Sequence, residues 1–154
     1  MFSVFCGRLE AFCEDEGGLA AIEFGLIAPF LVLLVVAAVD LGTGIHKAMQ
    51  AQNAAEAGAV YASRHAFDLT GTAGAVVNAT AGAGILATPA PARFCGCPNA
   101  SSIASTSCGS ACADGSAPGQ YLRISALVTH SPLLSVAGLG GPSTITGEAV
   151  IRIY

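Results

Sequence analysis

The hydrophobic pattern divides the chain sharply. From Leu19 to Val39 the sequence LAAIEFGLIAPFLVLLVVAAV runs 21 residues with one charge, Glu23, a length that at helical rise crosses a hydrocarbon layer of roughly 30 Å. The pattern predicts a single transmembrane helix. A buried core helix, apolar all round, would have to be wrapped by other large apolar side chains, and the rest of the chain has few. A cleaved secretory signal would need a basic start, a shorter apolar run and a small-residue cleavage site before a polar mature terminus. Here the start is acidic, the run is long, and Val39 is followed by Asp40, Leu41 and Gly42.

Beyond the apolar run, DLGTGIHKAMQAQNAAEAGAVYASRHAF is built from good helix formers and has no proline, so the helix is expected to continue to about Ala66. Gly42, Gly44 and Gly58 are its weak points, and Pro29 is expected to kink or loosen the span. Thr72 to Ala87 reads as a second, shorter helix with Val76, Val77, Ile85 and Leu86 as its apolar contacts. From Thr88 to Gly119 the composition turns to Pro, Ser, Gly and Cys, which predicts a loop. QYLRISALVTH and STITGEAVIRIY then alternate with the two-residue period of half-buried strands. Leu122, Ile124, Ala126 and Val128 share one face of the first; Ile145, Ala149, Ile151 and Ile153 share one face of the second. The segment between them is too long for a tight turn, so an antiparallel pair with a wide connection is expected. The fold class is therefore α+β, with residues 1–18 as a leader, 19–66 as the transmembrane and extended helix, and 67–154 as a small external domain.

Composition adjusts this picture in two ways. Charged residues make up 10%, aromatics 6%, and tryptophan is absent at a mean hydropathy of +0.66, so the hydrophobicity outside the span is mostly alanine and cannot build a bulky core. The net charge is −4, and most of it sits in the leader, where Arg8 faces Glu10, Glu14, Asp15 and Glu16. Without clustered Lys and Arg, nucleic acid is excluded as a partner, and the polybasic signature of an anionic-lipid binder is missing. Arg8 on one side of the span and Lys47 on the other leave orientation undecided by charge.

At the start of the span stands Gly17-Gly18-Leu19-Ala20-Ala21-Ile22-Glu23-Phe24. A hydrophilic leader, a glycine, and a glutamate five residues beyond it resemble the processing site of type IV prepilins. That resemblance implies cleavage between Gly18 and Leu19 at the cytoplasmic membrane face. The wider segment is similar to the start of the TadE-like family, pseudopilins of the tight-adherence (Flp) pilus system. The matching residues are Glu16, Gly18, Ala21, Ile22, Glu23, Phe24, Pro29 and Asp40, then Gln52, Asn53, Ala54, Ala55, Gly58, Ala59, Tyr61 and Ala62. Thr43 and Gly44 depart from the family's frequent arginine after Leu-Gly. The chain has no room for the extra domain of the larger TadG-type relatives.

Glu23 could merely favour a helix amino terminus, but intramembrane carboxylates usually have a partner. With Gly18 at prepilin spacing, an assembly role is expected, pairing with the new terminal amine of a neighbouring subunit. Asp40 reads as a solvated boundary residue. Cys6 and Cys13 lie in the leader and are expected as thiols. Cys95, Cys97, Cys108 and Cys112 fall in the external loop, where an oxidising compartment favours disulfides. Tetrahedral zinc is the rival, though the usual C-x2-C knuckle is missing. Bridging Cys95 to Cys97 is geometrically poor, which leaves the two pairings that join the first cysteine pair to the second. His46, His65 and His130 assemble no nucleophile and base. The sequons at Asn78 and Asn99 are too common to interpret.

These features point to a non-catalytic minor pseudopilin that assembles or anchors a Tad-type pilus, with no cofactor and no metal. Its expected place is the bacterial inner membrane, single-pass, with the amino terminus cytoplasmic and the domain periplasmic or carried into a pilus. The expected partners are other pilins and pseudopilins, the prepilin peptidase and the inner membrane. Gly42, Gly44, Ala48, Ala51, Ala54, Ala55 and Gly58 are expected to let helices of neighbouring subunits approach closely. The competing reading is a membrane-tethered binding or metal-sensing domain with an uncleaved anchor.

Overall fold

The computed structural model describes residues 16–65, 68–80, 84–133 and 143–153. Helix α1 spans Glu16–Arg64 and runs through Pro29 as one element. Helix α2 is Leu69–Asn78, and the strands are β1 Ala92–Pro98, β2 Ile103–Thr106, β3 Gly119–His130 and β4 Ser143–Arg152. The chain divides into two compact units, Met1–Leu41 and Gly42–Tyr154. Within the first, the described part of α1 is long and apolar enough to cross a membrane, and none of its apolar window is buried. Phe24, Leu26, Phe30 and Leu34 are each about two-thirds exposed.

The second unit is a four-stranded antiparallel sheet in the order β2-β1-β3-β4, laid against the later part of α1. In β3 the alternating residues Leu122, Ile124, Ala126 and Val128 are fully or almost fully buried, as the two-residue period requires. Ile145, Ala149, Ile151 and Ile153 of β4 and its end pack on the same core as half-buried residues. The opposing helical surface is nearly all alanine: Ala51, Ala54, Ala55, Ala59 and Ala62, closed at one side by Val76 of α2 and by Ile85. With no bulk to fill the space, the sheet and helix come close enough for backbones to touch. A Cβ on Gly147 would collide with the backbone of Ala51 and Gln52, and one on Gly58 would meet Val76 and Ile124.

The long helix runs to Arg64, in keeping with the expected end at about Ala66, which lies outside the described residues. Three sequence expectations are corrected. The second helix starts at Leu69 and stops at Asn78, so it does not extend from Thr72 to Ala87. Gly84 takes a positive φ of 62° that helical residues do not adopt, and the chain beyond it is extended: Ile85 enters the core and Leu86 bridges Leu127. The stretch from Thr88 to Gly119, expected as loop, contains β1 and β2. The expected strand pair is thus the larger half of a four-stranded sheet. Finally, Ala51, Ala54, Ala55 and Gly58, expected to face neighbouring helices, are covered by this chain's own sheet and α2. Gly42 and Ala48 stay exposed.

Candidate functional site

The start of α1 carries Gly18, Leu19 and Glu23. Gly18 and Glu23 are exposed, and the side chain of Leu19 lies outside the described residues. Leu19 and Glu23 stand four residues apart in one helix, which puts them on the same face about 6 Å apart along the axis. Gly18 needs neither space nor unusual backbone: a Cβ there would meet nothing within 4 Å, and its φ is not positive. Glycine costs about 1 kcal/mol relative to alanine inside a helix. The fold therefore supplies no reason for glycine at this position.

Further along α1, the motif Gln52 to Ala62 forms the seat of the sheet. Gln52 makes a two-point contact with strand β4. Its side-chain amide donates to the carbonyl of Glu148 at 3.3 Å and its oxygen accepts the Glu148 N–H at 3.3 Å, while the same amide nitrogen also donates to Glu56 at 3.2 Å. Because Ile153 N–H bonds to Gln120, and inward and outward pairs alternate in an antiparallel ladder, the polar groups of Glu148 point away from β3. Gln52 thus occupies the place of a missing neighbour strand. Ala54, Ala55, Ala59 and Ala62 lie flush with the core, and Gly58 admits Val76 and Ile124. Tyr61 donates a hydrogen bond to Asp68 at 3.4 Å and stacks on His65 with ring centroids 4.1 Å apart, tying the end of α1 to the start of α2. Asn53 is exposed, and nothing in the structure explains it.

The external cysteines are bonded as Cys95–Cys108 and Cys97–Cys112, with Cα separations of 5.1 and 5.7 Å. Both bridges tie β1 to the segment after β2. There Asp114 accepts hydrogen bonds from the hydroxyl and N–H of Ser116; these bonds, the hydroxyl first, hold its carboxyl below the usual carboxylate range. On the outer face of the sheet, Arg123 pairs with Glu148 at 2.8 Å and lies over the ring of Phe94, which stacks on Tyr121. Cys6 and Cys13 fall outside the described residues. No group of three or more His, Cys, Asp or Glu side chains capable of holding a metal occurs among the described residues. His46 stands on α1, His65 lies in the turn just after it and His130 ends β3.

Sequence reasoning found the positions of the motif but missed the work of Gln52 and Gly147. Gly147 did leave a signal, since a glycine inside a strand pattern often marks close approach of another backbone. Gln52 left none, because its partner is 96 residues away.

No curated protein and no solved structure matches the chain. One family model does, over just more than a quarter of the length. Residues 18–60, beginning at Gly18, match the model of the TadE-like protein family.

Proposed function

We propose that this chain is a non-catalytic minor pseudopilin that assembles or anchors a Tad-type pilus at the bacterial inner membrane. The observation that carries the reading is the family match beginning at Gly18, a glycine for which the helix has no steric or conformational use. A requirement outside the fold accounts for it: the prepilin peptidase cuts between Gly18 and Leu19, removing an acidic cytoplasmic leader. The exposed apolar face of α1 suits a membrane span, and the second unit is the part carried outside it. Other pilins and pseudopilins of the same system are the partners.

Intact mass of the membrane-extracted protein tests the cleavage. A mature chain starting at Leu19 is expected, and substituting Gly18 with a bulky residue should leave the leader attached. A chain starting at Met1 in cells that have the peptidase would favour a tethered domain with an uncleaved anchor.

Glu23 is assigned to assembly. Cleavage creates a cationic amine at Leu19, and the amine of an axially staggered neighbour can approach Glu23 more closely than the chain's own. In a low-dielectric surround that attraction is far stronger than in water, while desolvation offsets much of it, so the pair sets register more than it adds stability. Glu23→Gln should leave insertion and the disulfide-linked unit intact but reduce crosslinking to partner pilins. Unchanged crosslinking and normal piliation would reduce Glu23 to a tolerated helix-start residue.

A further inference from the structure

The outer face of the sheet, opposite the alanine core, carries a cleft that the packing of the unit does not use. In β1 the side chains of Phe94, Gly96 and Pro98 alternate with Cys95 and Cys97 and so share this face. A Cβ on Gly96 would collide with Ile103 and crowd the carbonyl of Ala104, so glycine lets the β1–β2 hairpin close over its own strand. The bridges from Cys95 and Cys97 hold the hairpin from the opposite face. Between the hairpin and the outer face of β3 and β4 lies a cleft of about 480 Å³, with Phe94, Ile103 and Val150 as apolar lining and Asn99, Arg123 and Glu148 as polar lining.

One wall of this cleft is an edge of the sheet. Among the described residues β4 has no strand on its outer side. The alternation that points the polar backbone groups of Glu148 away from β3 does the same for Val150 and Arg152, two and four residues on. Gln52 fills the place of a neighbour strand at Glu148. Val150, 37% exposed, belongs to both features: its side chain lines the cleft, and its N–H and carbonyl lie on the edge.

We propose that this corner binds an extended segment of another protein, which adds antiparallel to β4 at Val150 and Arg152 and places a large apolar side chain in the cleft. A peptide is the favoured occupant because the cleft opens on a strand edge. Strand addition takes its affinity from main-chain hydrogen bonds to such an edge and its selectivity from an adjacent side-chain cavity. The residue opposite Val150 exchanges both main-chain bonds with it, and its side chain lies on the outer face beside Val150. The charges choose the next position. Glu148 is already engaged by Arg123 at 2.8 Å, whereas Arg152 is the charge on the edge past the residue that Gln52 caps, so an acidic residue opposite Arg152 is preferred. A second copy of β4 fits less well. The register that sets Arg152 of one copy opposite Glu148 of the other needs the peptide groups of Glu148, and Gln52 holds those in both copies. The added strand therefore ends where Gln52 begins.

The test uses the full isotope-labelled chain in detergent micelles, titrated with the acetylated tripeptide Asp-Thr-Phe as its N-methylamide and followed by nuclear magnetic resonance. Saturable shifts of the Phe94, Val150 and Arg152 amides are expected, with a dissociation constant of about 1 mM for so short a peptide. Methylating the peptide's phenylalanine nitrogen removes the donor to the Val150 carbonyl and should weaken binding at least about fivefold. Val150→Pro is the matching change in the protein. It removes an N–H that points away from β3, where an edge strand tolerates proline, so binding should be lost while the Ala149 and Ile151 amides keep their exchange protection. Should that variant lose the protection as well, the methylated peptide decides alone. Binding that survives both changes would overturn strand addition and leave the cleft as a side-chain pocket. No saturable shift up to about 10 mM peptide would overturn the proposal. Shifts at Val150 that depend on protein concentration with no peptide present would assign the edge to a second copy and equally overturn it. None of these outcomes bears on cleavage at Gly18, which the intact mass tests separately.

Discussion

The two parts of helix α1 use the same secondary structure in opposite ways. Before Leu41 the helix carries large apolar residues, and Phe24, Leu26, Phe30 and Leu34 are all exposed. After Gly42 its buried face has no side chain larger than a methyl group, yet Ala51, Ala54 and Ala55 have no exposed surface at all. Hydrophobic size thus runs against burial along one continuous helix. The early part presents bulk outward, as suits a hydrocarbon solvent with which side chains make contact directly. The later part gives up bulk so that a sheet can lie backbone to backbone against it, gaining dispersion contact through proximity. A core of this kind is thin and has little reserve, and the rest of the second unit supplies reinforcement elsewhere.

The two disulfides are the largest such reinforcement, and reducing them separates the two regions most strongly. Each of Cys95–Cys108 and Cys97–Cys112 is expected to contribute roughly 2–4 kcal/mol, comparable with the whole stability of a small domain. After reduction, the near-UV circular dichroism of Phe94 and Tyr121 should collapse while far-UV helicity from the first unit persists in micelles. Survival of the near-UV signal with four titratable thiols would show that the alanine seat holds the sheet unaided.

Matched glycine substitutions sharpen the contrast next. Gly147→Val forces a side chain into the backbone of Ala51 and Gln52, whereas Gly25→Val meets nothing within 4 Å. The first should cost about 3 kcal/mol, the upper end for overpacking, and the second less than about 0.5 kcal/mol. Urea midpoints of the second unit, followed by tyrosine fluorescence in micelles, measure both. Equal tolerance would mean that close approach of helix and sheet is not what stabilises this unit.

The same contrast explains what the sequence could and could not tell. The long apolar helix and the strands β3 and β4 were legible because an unbroken apolar pattern marks the first and a two-residue alternation the other two. Strands β1 and β2 were not. ARFCGCP and IAST lack the alternation of a half-buried strand, and covalent bridges from Cys95 and Cys97 do part of the holding that side-chain packing does in β3. Ile85 and Leu86 were assigned to a helix because an apolar pair says nothing of its backbone, and the left-handed Gly84 before them ends any helical continuation. In the candidate site, the roles proposed for Gly18 and Glu23 rest on local spacing alone. The small residues of the later helix were visible, but their partner was misassigned, since alanine and glycine record a close neighbour without recording whose it is.

Gln52 offers the smallest and most local test of the seat. Its amide bonds the N–H and carbonyl of Glu148 on the open edge of β4, both at 3.3 Å and both exposed. Water can replace an exposed neutral hydrogen bond, so Gln52→Ala should cost only about 1 kcal/mol. Amide hydrogen exchange reads the effect more directly than stability does. The Glu148 amide should lose protection in Gln52→Ala while that of Ala149, which points toward β3, keeps it. Gln52→Glu should be worse than alanine. A carboxylate still accepts from the Glu148 N–H, but it cannot donate to the Glu148 carbonyl, and it places a negative charge four residues from Glu56 on the same helix face. That penalty has a signature alanine lacks: added salt should relieve the charge repulsion in Gln52→Glu and leave Gln52→Ala unchanged. Should the Glu148 and Ala149 amides lose protection together in either variant, the edge would be opening as a whole strand, and Gln52 would be holding β4 in place where the geometry assigns it only the capping of one residue.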